Sequence, residues 1–166
     1  LALALGYERH TAFGSAGGAN DDRGWTIGGT YTFMGKVKVG MQYIDTKYET
    51  TATTDLTKKN WMIGAEWNVA GPHNVDAAYV KAGKSKGTAV ANAPGSGVSL
   101  PSAVLGTGAN LWQISYRHEF SKRTSVKLGY VRLNNDSGAT YTLGGLSAAV
   151  AGDNQSAWVM YGSHTW

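Results

Sequence analysis

The sequence predicts an all-β protein, an antiparallel transmembrane β-barrel of which eight strands are visible here, with residues 1–166 forming a single barrel unit and no separate soluble domain. Three observations predict it. Apolar residues recur at a spacing of two rather than at the 3.6-residue spacing of a helix, which marks strands whose two faces differ. Connections between these strands alternate long and short, the asymmetry of barrels set in an outer membrane. Large aromatics stand at the ends of the strands, where a lipid interface selects them.

Two strand patterns alternate along the chain. The first is an aliphatic pair followed by Tyr at spacing two, and it opens the chain as Leu3, Leu5 and Tyr7. The second starts on Trp, carries Ile or Met two residues later, and closes on an aromatic or apolar residue; its first instance runs from Trp25 through Ile27 and Tyr31 to Phe33. Val39, Met41 and Tyr43 then repeat the first pattern, and Trp61, Ile63, Trp67 and Val69 the second. Val75, Ala77 and Tyr79 are followed by Trp112, Ile114, Tyr116 and Phe120, and Val126, Leu128 and Tyr130 by Trp158, Met160, His164 and Trp166.

The connections after the Tyr strands (13–22, 47–59, 83–110 and 134–154) are long and rich in Gly, Ala, Ser, Thr and Asn. Those after the Trp strands are short: Met34-Gly35-Lys36, Ala70-Gly71-Pro72-His73 and Ser121-Lys122-Arg123. Their unequal spacing excludes a solenoid, which keeps a fixed period. In an outer-membrane barrel the short turns are periplasmic.

Composition agrees. Hydrophobic residues make up 42% of the chain, yet 6 Trp and 9 Tyr stand beside only 3 Phe, a bias towards rings that are apolar at one end and wet at the other. No apolar run approaches the roughly 18 residues that a spanning helix needs, so any crossing is made by strands. The absence of Cys excludes disulfide frameworks and thiolate metal sites. A net charge of +4 would suit nucleic acid, but the basic residues are scattered among acidic ones, so no nucleic-acid partner is expected. The chain opens on Leu1-Ala2-Leu3-Ala4-Leu5, already alternating. The expectation is that a targeting segment has been removed or that the chain starts inside a longer protein.

A soluble barrel or sandwich also alternates, and alternation alone does not say which face is inside. The aromatics decide it, because they bracket each Trp strand. A tilted strand of this length covers roughly 20 Å of membrane normal, close to the ~25 Å apolar band of outer-membrane barrels.

The segment Phe120-Ser121-Lys122-Arg123-Thr124-Ser125-Val126-Lys127-Leu128-Gly129-Tyr130, followed by Asn134-Asn135, resembles the penultimate turn and strand of Gram-negative general diffusion porins, especially betaproteobacterial ones. The last strand, ending on Trp166 with His164 two positions earlier, is similar to that family's C-terminal strand, which usually ends on Phe. The resemblance implies a sixteen-stranded, usually trimeric barrel that passes small hydrophilic solutes. It matches this chain to the C-terminal half, with the family's constriction loop and most of its basic eyelet in the other half. It also implies an outer-membrane location, lipid and lipopolysaccharide neighbours, a homotrimer, no cofactor and no catalysis. The rival reading is a complete eight-stranded barrel acting as an anchor or adhesin through its long loops, above all 83–110. A lipid-modifying barrel enzyme would need a Ser-His-acid cluster, and parity brings none together.

With the aromatic face towards lipid, parity assigns the pore-lining residues. The acids are Glu8, Glu66, Asp76 and Glu119, the bases Lys38, Arg117 and Lys127, and the neutral partners Gln42, Asn60 and Gln113. Acids outnumber bases here, so the positive net charge lies elsewhere. The membrane-interface aromatics are Tyr7, Trp25, Tyr43, Trp61, Tyr79, Trp112, Tyr130 and Trp158 at one end, and Tyr31, Phe33, Trp67, Phe120 and Trp166 at the other. Two residues beyond the strand Tyr stand Arg9, Lys81 and Arg132, while the remaining Tyr strand has Asp45 there. These cations are expected to contact lipopolysaccharide phosphate, with solvated charge near the loops as the plain alternative. His10, His73, His118 and His164 show no ligand spacing along the chain, and no metal site is expected.

Overall fold

The computed structural model describes residues 1–11, 21–51, 54–87, 107–144 and 150–165, and the side chains of all of these but 50, 51 and 54. Among them are nine strands: β1 (Ala2–His10), β2 (Asp22–Phe33), β3 (Val37–Thr51), β4 (Thr54–Ala70), β5 (His73–Ala82), β6 (Lys86–Gly87), β7 (Ala109–Ser121), β8 (Thr124–Asn135) and β9 (Gln155–His164). They form one sheet in the order β1-β2-β3-β4-β5-β7-β8-β9, with β6 off that path against β4. Every pairing is antiparallel. No described helix is long and apolar enough to cross a membrane.

The sheet is open. β1 and β9 stand at its two ends and do not pair with each other, which overturns the expected closed barrel, whether as half of sixteen strands or as a complete set of eight. The reason is physical. Alternation and aromatic spacing report the faces of each strand and the pairing of neighbours, whereas closure depends on strand number, stagger and tilt taken together.

The extra strand arises where β5 resumes along β4. Gly83 donates its amide to the Lys59 carbonyl at 2.9 Å, the chain kinks, and Lys86 and Gly87 pair with Thr57 and Leu56. A Cβ at Gly83 would lie 2.2 Å from the Lys59 carbonyl oxygen, and one at Gly87, where φ is +115°, 2.0 Å from that of Asp55. Only glycine permits so close an approach.

The segment 47–59, expected as a loop, is instead largely the extended β3–β4 hairpin, with Tyr48 opposite Leu56 and a bulge near Glu49. Its polar alternation conceals a strand that projects beyond the apolar band. Thr and Tyr favour the pleated conformation, and Lys47 bridges to Asp55 at 2.6 Å. The expected loops 13–22, 83–110 and 134–154 lie partly outside the described residues, as does Trp166.

The short turns match their residues. Lys36 donates its amide to the Phe33 carbonyl at 2.9 Å, closing a turn whose central residues Met34 and Gly35 have φ of 48° and 66°, the mirror-image turn that suits strand twist. Gly71, with φ of 55°, serves the next turn.

Little is buried. Ala109, Leu133 and Leu143 form a small core with Ala82, Leu111, Val131, Tyr141 and Ala157 packed on it. It lies at the long-connection end, where the segment after β8 folds back across the sheet. Asn135 holds that segment by donating to the Tyr141 and Asp153 carbonyls at 2.9 and 2.7 Å, and Leu143 donates its amide to Gln155 Oε1 at 2.8 Å.

Candidate functional site

Register sorts the side chains into two faces. Opposed residues in an antiparallel pair share a face, so the pairs Tyr7–Trp25, Ile27–Tyr43, Tyr43–Trp61, Ile63–Tyr79, Tyr79–Trp112, Ile114–Tyr130 and Tyr130–Trp158 place the aromatics and their aliphatic followers together. Rings meet along the row: Trp25 with Tyr43 at 5.3 Å, Trp61 with Tyr79 at 5.2 Å, Trp112 with Tyr130 at 5.4 Å and Tyr130 with Trp158 at 5.1 Å between centroids. At the short-turn end stand Tyr31 and Phe33, 4.5 Å apart edge to face, with Trp67, Tyr116 and Phe120 on other strands. Between the two rows lie aliphatic residues, among them Leu5, 78% exposed, Ile27 at 50% and Met160 at 78%. Such a continuous exposed apolar face calls for a non-aqueous neighbour.

The opposite face is polar and small. Gly28, Gly40, Gly64 and Ala78 floor a hollow of about 580 Å³, into whose lining Lys38, Gln42, Glu66, Asp76 and Gln113 also enter. Lys38, Glu66, Asp76 and Ser115 occupy one register line across β3, β4, β5 and β7. The next holds Asn68, Asn74, Arg117, Lys127 and Tyr161.

Ion pairs join the two lines. Lys127 Nζ donates to Asp76 Oδ2 at 2.9 Å, reaching over β7, and Ser115 Oγ donates to the same oxygen at 2.5 Å. Arg117 reaches over β5 to Glu66 Oε1 at 3.4 Å and lies 3.3 Å from Glu119 Oε1. Asn74, nearly buried, donates to Glu119 at 3.3 Å and accepts from Asn68 at 3.0 Å. The residues expected to line a pore thus share one face, and Glu66, Asp76, Arg117, Glu119 and Lys127 draw together. Two stand apart. Asn60 Oδ1 accepts the Gly83 amide at 3.2 Å, holding the β5 kink, and Glu8 meets His10 at 2.7 Å near the long-connection end.

Tyr141, on the folded-back segment after β8, accepts a hydrogen bond from Lys58 Nζ, and that ammonium stands 4.8 Å from the ring centroid. Nothing in the strand pattern marks this contact. It joins residues far apart in sequence.

The cations beyond the aromatic row lie on the aromatic face. Lys81 stands opposite Trp61 and Arg132 opposite Trp112, while Arg9 pairs with Asp21 and stands opposite Arg23. Register adds Arg23, Lys47 and Lys59 to this belt. Lys59 lies 3.5 Å from Asp45, and Arg132 Nε donates to Asn134 at 2.9 Å.

Among the described residues no group of three or more His, Asp or Glu is placed to hold a metal ion. One pair of imidazoles is nonetheless adjacent: His73 and His118 oppose each other across β5 and β7. Separation along the chain hid this pair, since it depends on the length of the β5–β7 connection.

Residues 1–139 match the family described as Gram-negative porin. The solved structure of the anion-selective porin from Comamonas acidovorans aligns with a TM-score of 0.68 and 22% identity, over 96% of this chain and 43% of that one. That likeness is one of fold, and the chain spans less than half of that porin's length. No curated protein matches the chain.

Proposed function

The chain belongs to the Gram-negative porin family, and from that premise we propose that its sheet forms part of the wall of a water-filled passage through which small hydrophilic solutes and ions diffuse passively. Its place is the outer membrane of a Gram-negative bacterium, and as a porin it is a channel protein rather than an enzyme.

One observation carries the reading: the sheet is apolar and aromatic on one exposed face and ionic on the other. Such a sheet is stable where lipid lies on one side and water on the other. In the passage, Lys38, Gln42, Glu66, Asp76, Gln113, Arg117, Glu119 and Lys127 border the water, where charged side chains act on passing ions. Acids and bases lie close together on this wall and largely offset each other. The anion preference named for the Comamonas protein therefore finds no counterpart in these strands.

Planar-bilayer recording of the native protein under a salt gradient tests the reading. Stable openings are expected; a protein that never conducts would sink it. Openings in steps of three would accord with a homotrimer, which we propose as the assembled form.

Arg9, Lys81 and Arg132 lie beyond the aromatic row on the lipid side, the level of anionic headgroups, and we assign them contacts with lipopolysaccharide phosphate. Replacing all three by Gln is expected to raise the sensitivity of cells to chelators that strip divalent ions. Unaltered sensitivity would return these residues to plain solvation.

A further inference from the structure

We propose that His73 and His118, together with Tyr116, form a binding site for a borderline divalent transition-metal ion of the zinc, nickel or copper type at the short-turn end of the aromatic face. The site does not depend on conduction.

The backbone sets the pair. Glu119 donates its amide to the Pro72 carbonyl at 3.0 Å, so the residues between them, His73 and His118, occupy a pair of the non-hydrogen-bonded kind. There Cα atoms approach to about 4.5 Å and side chains come closest. The two imidazole centroids are 5.1 Å apart.

Both rings turn the same atom to the same place. His73 Nδ1 lies 2.5 Å and His118 Nδ1 3.1 Å from the Tyr116 hydroxyl oxygen. A phenol has one proton, so it donates to one imidazole and accepts from the other. A cation between them takes both Nδ1 lone pairs and a lone pair of the phenolic oxygen: the imidazole that donated shifts its proton from Nδ1 to Nε2, and the phenol keeps its own proton, which turns away from the second imidazole to water. Phe120 stands edge-on to His118 at 4.6 Å and 69°, which fixes that ring.

The donor set selects the ion. Imidazole suits zinc, copper and nickel, with metal–nitrogen distances of about 2.0–2.1 Å for zinc. Calcium and magnesium take oxygen, mainly carboxylate, and Glu119 faces the other side of the sheet beside Arg117. His73 and Tyr116 are exposed at the short-turn rim, the level at which an aromatic girdle meets the aqueous interface, so water from that side completes the coordination.

The test titrates Cu²⁺ into the full chain folded in detergent micelles and reads electron paramagnetic resonance. One tightly bound equivalent with hyperfine splitting from two nitrogens is expected. In His73→Gln or His118→Gln the affinity should fall on the order of tenfold or more, with splitting from one nitrogen, and His164→Gln should leave both unchanged. Affinity and splitting preserved in either of the first two variants would overturn the site. The unaltered chain gives a second reading that needs no substitution. Zn²⁺ is expected to slow diethylpyrocarbonate labelling of His73 and His118 relative to His10, mapped by mass spectrometry; equal labelling with and without Zn²⁺ would also overturn it.

Discussion

Met34 holds a φ of 48° in the first short turn and is 97% exposed. A side chain with a Cβ in the left-handed region costs about 1–2 kcal/mol relative to residues that tolerate it, and an exposed Met recovers nothing by packing. Asn or Gly at the first central position is what this turn type prefers. Met34→Asn should therefore stabilise the folded sheet by about 1 kcal/mol, read as a higher urea midpoint in detergent at unchanged slope; a lower midpoint would show that Met34 contributes a contact that outweighs its backbone conformation. At this scale the sequence was informative about faces and uninformative about partners. Period two assigned Glu66, Asp76, Arg117 and Lys127 to one side, because parity is a local property. That Arg117 crosses β5 to Glu66 and Lys127 crosses β7 to Asp76 follows from register between distant strands. The His73–His118 pair was missed for the same reason, with the β5–β7 connection hiding an adjacency that register creates.

β7 supplies the clearest test of the two faces, since Gln113 and Ile114 are neighbours in the chain and point to opposite sides. A cation on the lipid face near mid-depth costs about 2–4 kcal/mol, so Ile114→Arg should lower folding stability in lipid vesicles by that order. Gln113→Arg adds the same charge to the hydrated face and should leave stability nearly unchanged. Equal losses at both positions would refute the assignment of faces. Strand identity was readable along most of the chain because the Trp and Tyr patterns repeat with little noise. It was not readable in the β3–β4 extension, where Tyr48 and Leu56 stand isolated among polar residues and no apolar alternation is sustained. Nor was the course of the segment after β8, since the packing of Leu143 and Tyr141 on the ionic face rests on contacts that no periodicity announces.

At the scale of the whole molecule the described residues invert the usual distribution of polarity, with broad apolar exposure on one face of the sheet and a small core among them. The expected closure failed at this scale, and the sheet ends on the unpaired edges of β1 and β9. Backbone groups at such edges find no hydrogen-bond partner in lipid itself, so each edge left in the hydrocarbon region carries an energetic cost until another strand pairs with it. The strand order also bears on how the sheet arises in time. Apart from the excursion of β6, each strand pairs only with those that precede and follow it in the chain. Growth can then proceed one hairpin at a time, each closing a short loop at a small entropic cost, with no distant segment required to arrive before the next strand can bind. The long connection between β5 and β7 is the exception: it closes the largest loop along the sheet, and the step that joins the two groups of strands is where folding should pause.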